Sequence, residues 1–268
     1  MQHTLSISNT FSRLKNQCAL VPFITAGDPN LSVTEQALKI LAEEGADMIE
    51  LGIPYSDPLA DGPVIQAASA RAIQNGVSFE KILVMVTNIN KQINVPLVVF
   101  TYYNLVLNHG IENFISRIRQ AGFKGILVPD LPLEEIDFLE KKCREYDLEL
   151  ILLISPNSSN ERIRKITQRA KSCIYLVSST GVTGMGFNYK SPIKSLIHNI
   201  KKLTHQALIV GFGISTAKDI KVVQSWGVDG IVMGSSFVKK LFTSSHDTEL
   251  SEFRKYCQDI KKSINNYV

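Results

Sequence analysis

The chain has 268 residues, 44% of them apolar and 20% charged, ordinary globular proportions that exclude bulk disorder. Its 29 Lys and Arg against 25 Asp and Glu leave a formal charge of +4, and the basic residues are scattered over several amphipathic segments, so there is no nucleic-acid-binding stripe. No apolar run approaches the ~18 residues that span a bilayer, and Cys18, Cys143, Cys173 and Cys257 show neither a C-x-x-C pair nor a His at metal spacing, which reads as reduced structural thiols in a reducing compartment.

Residues 1–17 contain no acid, several Ser and Thr, and Arg13 and Lys15, an outward likeness to an organellar transit peptide. A strand is predicted from Ala19, however, which leaves a removable leader almost no room, and residues 8–15 read as a short helix covering the bottom of a barrel. Short β-branched runs then alternate with longer stretches of helical period, the pattern of βα units on a parallel sheet. Eight strands are predicted, over 19–25, 47–53, 96–102, 125–129, 148–154, 173–178, 207–211 and 230–233, each followed by a helical segment. In 31–44, Val33, Ala37, Leu38, Ile40 and Leu41 recur at spacings of three and four, and Gly45 ends the helix. Similar stripes cover 111–120, 133–146, 161–170, 191–202, 216–225 and 250–264.

No linker, charge block or low-complexity stretch divides the chain, so residues 1–268 are expected to form one domain. Eight parallel units in one domain point to a closed (β/α)8 barrel. A doubly wound open sheet is the alternative, but the turn after the first strand, Thr25-Ala26-Gly27-Asp28-Pro29, lacks the dinucleotide-binding fingerprint.

Active sites of such barrels lie at the C-terminal strand ends. Alternation puts Ile49, Leu51 and Ile53 on one face of the second strand and Met48, Glu50 and Gly52 on the other. With the aliphatic face against the helices, Glu50 points into the lumen, where lost hydration raises a carboxyl pKa toward that of a neutral-pH acid and base; at a solvated strand end it would instead be an ordinary carboxylate. The following loop, rich in proline, holds Asp57 and Asp61. Asp-Pro and Asp-Gly are also plain turn formers, yet a restricted loop at a barrel mouth can hold a second carboxylate opposite Glu50. Glycines follow the last three strands at Gly181, Gly184 and Gly186, then Gly211 and Gly213, then Gly234 before Ser235. Such glycines serve either plain βα turns or a phosphate site of backbone N–H groups and a helix N-terminus. His3, His109, His198, His205 and His246 fall in the N-terminus, loops and helices, which argues against a His base or a metal site.

The run from Glu50 through Gly52, Pro54, Asp57, Pro58, Asp61, Gly62 and Pro63 to Gln66 resembles the tryptophan synthase α-chain family. Support comes from Pro22-Phe23-Ile24-Thr25-Ala26-Gly27-Asp28-Pro29, Thr101-Tyr102-Tyr103-Asn104, Val128-Pro129-Asp130-Leu131-Pro132, Gly181-Val182-Thr183-Gly184 and Gly211-Phe212-Gly213-Ile214. The resemblance runs from about Phe11 to the last helix. It implies an α/β barrel that cleaves indole-3-glycerol phosphate to indole and glyceraldehyde 3-phosphate, with no cofactor in this chain. It also implies a pyridoxal-phosphate-containing β subunit that receives the indole in an α2β2 heterotetramer, docked through the loop between Pro54 and Gly62. By the same resemblance Glu50 is the acid and base, and Asp61 accepts the indole N–H. Phe23, Phe100, Leu127, Tyr175, Thr183 and Phe212 surround the indole, and groups at Gly184, Gly213, Gly234 and Ser235 hold the phosphate.

The chain departs from common family patterns at Tyr55, where Phe is frequent, at Phe100 and Leu105, and at Ser178-Ser179-Thr180, where many bacterial members carry Arg in place of Ser179. The Ser-Ser-Thr form resembles cyanobacterial and plastid members; with abundant Lys, Ile and Asn it implies the plastid stroma, with the bacterial cytoplasm as alternative. Two other functions fit the barrel at this stage: a sugar-phosphate isomerase or epimerase, which the aromatic Phe23 and Phe212 disfavour, and a docking subunit without chemistry, which the two carboxylates disfavour.

Overall fold

The computed structural model describes residues 6–15, 17–177, 192–211 and 213–266. Eight parallel strands, β1 (Ala19–Thr25), β2 (Ile49–Gly52), β3 (Leu97–Phe100), β4 (Gly125–Leu127), β5 (Glu149–Ile154), β6 (Ile174–Val177), β7 (Leu208–Gly211) and β8 (Gly230–Met233), pair in sequence order, and β8 returns to β1 to close a barrel. The expected (β/α)8 architecture is therefore present, and the open-sheet alternative is overturned by the β1–β8 pairing.

Strand alternation sorts the apolar residues into two cores. Outward side chains such as Ile49, Leu51, Ile126, Ile174, Val210 and Ile231 pack beneath the helices, while Val21, Phe23, Val98, Phe100, Leu127, Ile151, Tyr175, Ile209 and Val232 fill the lumen. Burying each large aliphatic side chain contributes about 1.5–3 kcal/mol, so a one-residue slip of any strand would forfeit both cores at once.

The helices follow the predicted stripes, with side-chain caps at their starts. The Asn30 side chain accepts from Val33 N–H at the head of α2 (Leu31–Glu43). Ser159 does the same for α8 (Asn160–Arg169), and Thr216 and Asp219 form a reciprocal capping box on α10 (Ala217–Gln224). Some connections carry more helix than the stripes indicated. Between β2 and β3 lie α3 (Pro63–Gln74) and α4 (Phe79–Ile89); α5 (Tyr103–His109) precedes α6 (Ile111–Ala121), and α11 (Ser235–Ser244) precedes α12 (Ser251–Asn265). The predicted helix over 133–146 is split into a 3-10 turn at Leu133–Glu135 and α7 (Asp137–Glu145). The tighter turn aligns residues three apart, which lets Leu133 and the buried Ile136 both face the core. α9 (Pro192–Leu203) completes the set.

The N-terminal helix α1 (Ile7–Leu14) caps the barrel bottom as expected. Ile7 is fully buried in the lumen core, and the Glu149 carboxylate at the start of β5 accepts Ile7 N–H at 2.6 Å, Ser8 N–H at 3.1 Å and the Ser8 hydroxyl. A carboxylate on the first free N–H groups of a helix also complements the helix dipole. All four cysteines are free; three are buried, and burial pushes the Cys18 and Cys143 thiols up to about 12. Among the described residues no helix is long and apolar enough to cross a membrane, and no three His, Cys, Asp or Glu cluster as metal ligands.

Candidate active site

At the C-terminal end of the barrel a cavity of about 380 Å³ opens, and its wall includes Phe23, Glu50, Asp61, Phe100, Tyr175, Gly213, Gly234 and Ser235. Most of the predicted site residues are thus brought to one space. Leu127 is fully buried in the lumen beside Phe100, its register partner, and stands behind the wall instead of on it. Thr183, Gly184 and Phe212 lie outside the described residues, as does the segment 178–191 that holds Ser178, Ser179 and Thr180.

Glu50 points inward from β2, as alternation requires, and is 1% exposed. Among the described residues its Oε1 has no hydrogen-bond partner, and burial alone pushes the carboxyl up to about 8. A group with that affinity holds its proton at neutral pH and remains able to release it.

Asp61 arrives by a different route. Pro58 O accepts Asp61 N–H at 3.0 Å, closing a turn, and Pro63 then starts α3 at its first position, where a missing N–H costs nothing. The Gln66 amide ties down the Asp61 carbonyl at 2.8 Å. The loop is therefore clamped on both sides of the carboxylate. Burial pushes Asp61 up to about 6, against a lowering by the Tyr102 hydroxyl, which donates to Oδ2 at 2.8 Å. The same Tyr102 oxygen accepts Ala60 N–H at 3.1 Å, and its ring stacks on Tyr55 at 5.1 Å. Asn104 in turn donates to the Tyr55 hydroxyl at 3.1 Å.

Aromatic walls need room, and two glycines supply it. A Cβ at Gly52 would lie 2.5 Å from the Phe23 ring, and one at Gly211 would lie 1.9 Å from the Tyr175 hydroxyl. Phe23 meets Phe100 edge-on with centroids 5.3 Å apart, and burial drives the Tyr175 phenol well above its ordinary pKa, so it stays neutral. In the same cavity Gly213, Ser215, Gly234 and the start of α11 at Ser235 present small residues and a helix N-terminus, a surface suited to an anion.

Four participants carried no assigned role in the sequence reading. Tyr102 stands two residues beyond Phe100 on the same alternation, inside the strand predicted over 96–102 although β3 itself ends at Phe100, so the signal was present. Ile65 and Val64 line the cavity from the first turn of α3, and Lys239 lines it from α11; neither helix was assigned in advance.

A closed parallel barrel with two desolvated carboxyl groups, aromatic walls and an anion-suited rim at one mouth has the make-up of an enzyme suited to acid–base chemistry on a flat, anionic ligand. Comparison with known proteins narrows this class: the tryptophan synthase alpha chain family model matches residues 11–265, and the chain belongs to that family. It is 52% identical over 259 residues to the tryptophan synthase alpha chain of Pyropia yezoensis, covering 97% of this chain and 98% of the relative. The solved tryptophan synthase subunit alpha of Legionella pneumophila str. Paris superposes with a TM-score of 0.88 at 30% identity, covering 97% of this chain and 98% of that one. A chain of the tryptophan synthase complex from Pyrococcus furiosus gives a TM-score of 0.78 at 31% identity, with 94% and 98% covered.

Proposed function

We propose that this chain, acting as one barrel domain, performs its family's lyase reaction through Glu50 and Asp61, cleaving indole-3-glycerol phosphate to indole and glyceraldehyde 3-phosphate. The observation that carries the reading is that both carboxyl groups reach the wall of one aromatic-lined cavity while differing in proton affinity. Indole leaves poorly from carbon until its C3 is protonated. Glu50, protonated at neutral pH, delivers that proton, and the ring nitrogen gains positive charge that ionised Asp61 stabilises through the N–H. The Glu50 carboxylate then takes the proton of the adjacent glycerol hydroxyl, the C–C bond breaks, and its electron pair restores the aromatic ring as the aldehyde forms. Glu50 ends protonated, as it began.

Phe23, Phe100 and Tyr175 hold the ring and keep water out, and Gly213, Gly234 and Ser235 receive the phosphate. Leu127 supports Phe100 from behind; Thr183, Gly184 and Phe212 complete the indole and phosphate contacts. The reaction runs on side chains of this chain, and pyridoxal phosphate belongs to the β partner. The partner docks on the 54–62 loop, whose Leu59 is 85% exposed at its tip, an apolar side chain that association would remove from water. The assembly is an α2β2 heterotetramer in the plastid stroma, a location supported by the likeness to the Pyropia yezoensis protein.

Release of indole by the purified chain tests the reading. Glu50→Gln should lower the rate about 10²–10⁴-fold, the usual range for loss of a general acid–base group, and Asp61→Asn about 10²-fold or more. Unchanged indole release in either variant would remove that residue from the mechanism.

A further inference from the structure

Among the described residues, the small polar part of the cavity lining is Gly213, Ser215, Gly234, Ser235 and Ser236, all neutral, and the same cavity is lined by two acids, Glu50 and Asp61. A phosphate monoester is a dianion near neutral pH, so this lining leaves most of its charge unmatched. One cationic side chain reaches the same cavity among the described residues, Lys239 on α11. It follows Ser235 by four residues and so shares its helix face. Side chains on a helix lean toward its N-terminus, so the Lys239 stem runs back over the turn that begins at Ser235. The adjacent Lys240 points elsewhere and pairs with Glu252 at 2.6 Å, whereas Lys239 is exposed and makes no ion pair among the described residues. A lysine this close to the positive end of a helix gains nothing from the dipole; it is stabilised there once an anion arrives.

We propose that Lys239 is a substrate-binding residue: its ammonium group meets the phosphate at the cavity mouth and supplies the charge that the neutral cradle lacks. The assignment rests on reading the cavity as the site for a phosphorylated substrate. It makes Lys239 a determinant of affinity and of selection for the phosphate ester, with no part in breaking the carbon–carbon bond.

Binding of inorganic phosphate to the purified full chain, followed by 31P line broadening at low and high salt, tests the cation apart from catalysis. Lys239→Ala should weaken phosphate binding about fivefold at low salt, the upper end for an exposed ion pair, and flatten its ionic-strength dependence. The same variant should raise KM for indole-3-glycerol phosphate by a similar factor and leave kcat within about twofold. Lys239→Arg should restore both, and Lys240→Ala should change neither. Phosphate binding that is absent from the unsubstituted chain, indifferent to Lys239→Ala, or equally weakened by Lys240→Ala would overturn the proposal. If phosphate binding depends on Lys239 while the unsubstituted chain releases no indole, the cation assignment holds and the lyase reading fails.

Discussion

Single residues in this lumen are tuned by what surrounds them more than by what they are. Glu50 and Asp61 carry similar groups, yet the Oε1 of one has no hydrogen-bond partner among the described residues and the other accepts a phenol hydrogen bond. The free enzyme should therefore show a bell-shaped kcat/KM profile, falling below about pH 6 as Asp61 is protonated and above about pH 8 as Glu50 loses its proton. Tyr102→Phe removes the bond that favours ionised Asp61, so its acid limb should move to higher pH while the basic limb stays; a profile that shifts on neither side would deny Tyr102 this role. Stability supplies an independent readout. The folded pKa of Glu50 lies above its unfolded value, so the native state binds more protons and stability falls as pH rises from about 4.5 to 8, by on the order of 3 kcal/mol at pH 7. Glu50→Gln should lack that slope: relative to the parent it should gain stability between pH 5 and 8 in urea unfolding, with the difference constant below about pH 4.5. The inward aim of Glu50 was legible from strand alternation alone. The role of Asp61 was not separable from turn formation without the family resemblance, because its burial depends on Tyr102, forty-one residues away in the chain.

At the scale of elements, periodicity located all eight strands, since a strand buried on both sides is a compact apolar run bounded by glycines and polar turns. Two of the helices it overlooked share a cause. α3 and α11 pack on the barrel mouth and on each other, so their apolar positions face two directions and no single stripe stands out. The bottom cap was expected as a helix, but its anchor was hidden: Glu149 sits 142 residues from Ile7, and no local signal marks it. Glu149→Gln keeps the shape and removes the charge on the helix N-terminus; it should destabilise the fold by about 1–3 kcal/mol without changing KM, as measured by urea midpoints and steady-state kinetics. Loss of lyase activity in a fully folded variant would contradict the separation of the stabilising bottom from the reactive top.

On the proposed function, chemistry and association lie at one end of the whole molecule. Leu59 belongs to the same short loop as Asp61, so a partner seated there touches the backbone that holds the carboxylate. Leu59→Asp should leave indole release by the isolated chain within about threefold and abolish the acceleration caused by an added β subunit, since a charge would be buried in the contact. Acceleration that persists at the same partner concentration would locate docking elsewhere.

The Tyr102 phenol makes two bonds at once, one to the carboxylate of Asp61 and one to the Ala60 amide. Thermodynamic reciprocity then applies: whatever factor an associating protein contributes to affinity for the small molecule below, that molecule must return in equal measure to the association. Titrating the complex with and without glyceraldehyde 3-phosphate should close such a cycle, and one hydroxyl group, removed by Tyr102→Phe, should loosen it from both directions together.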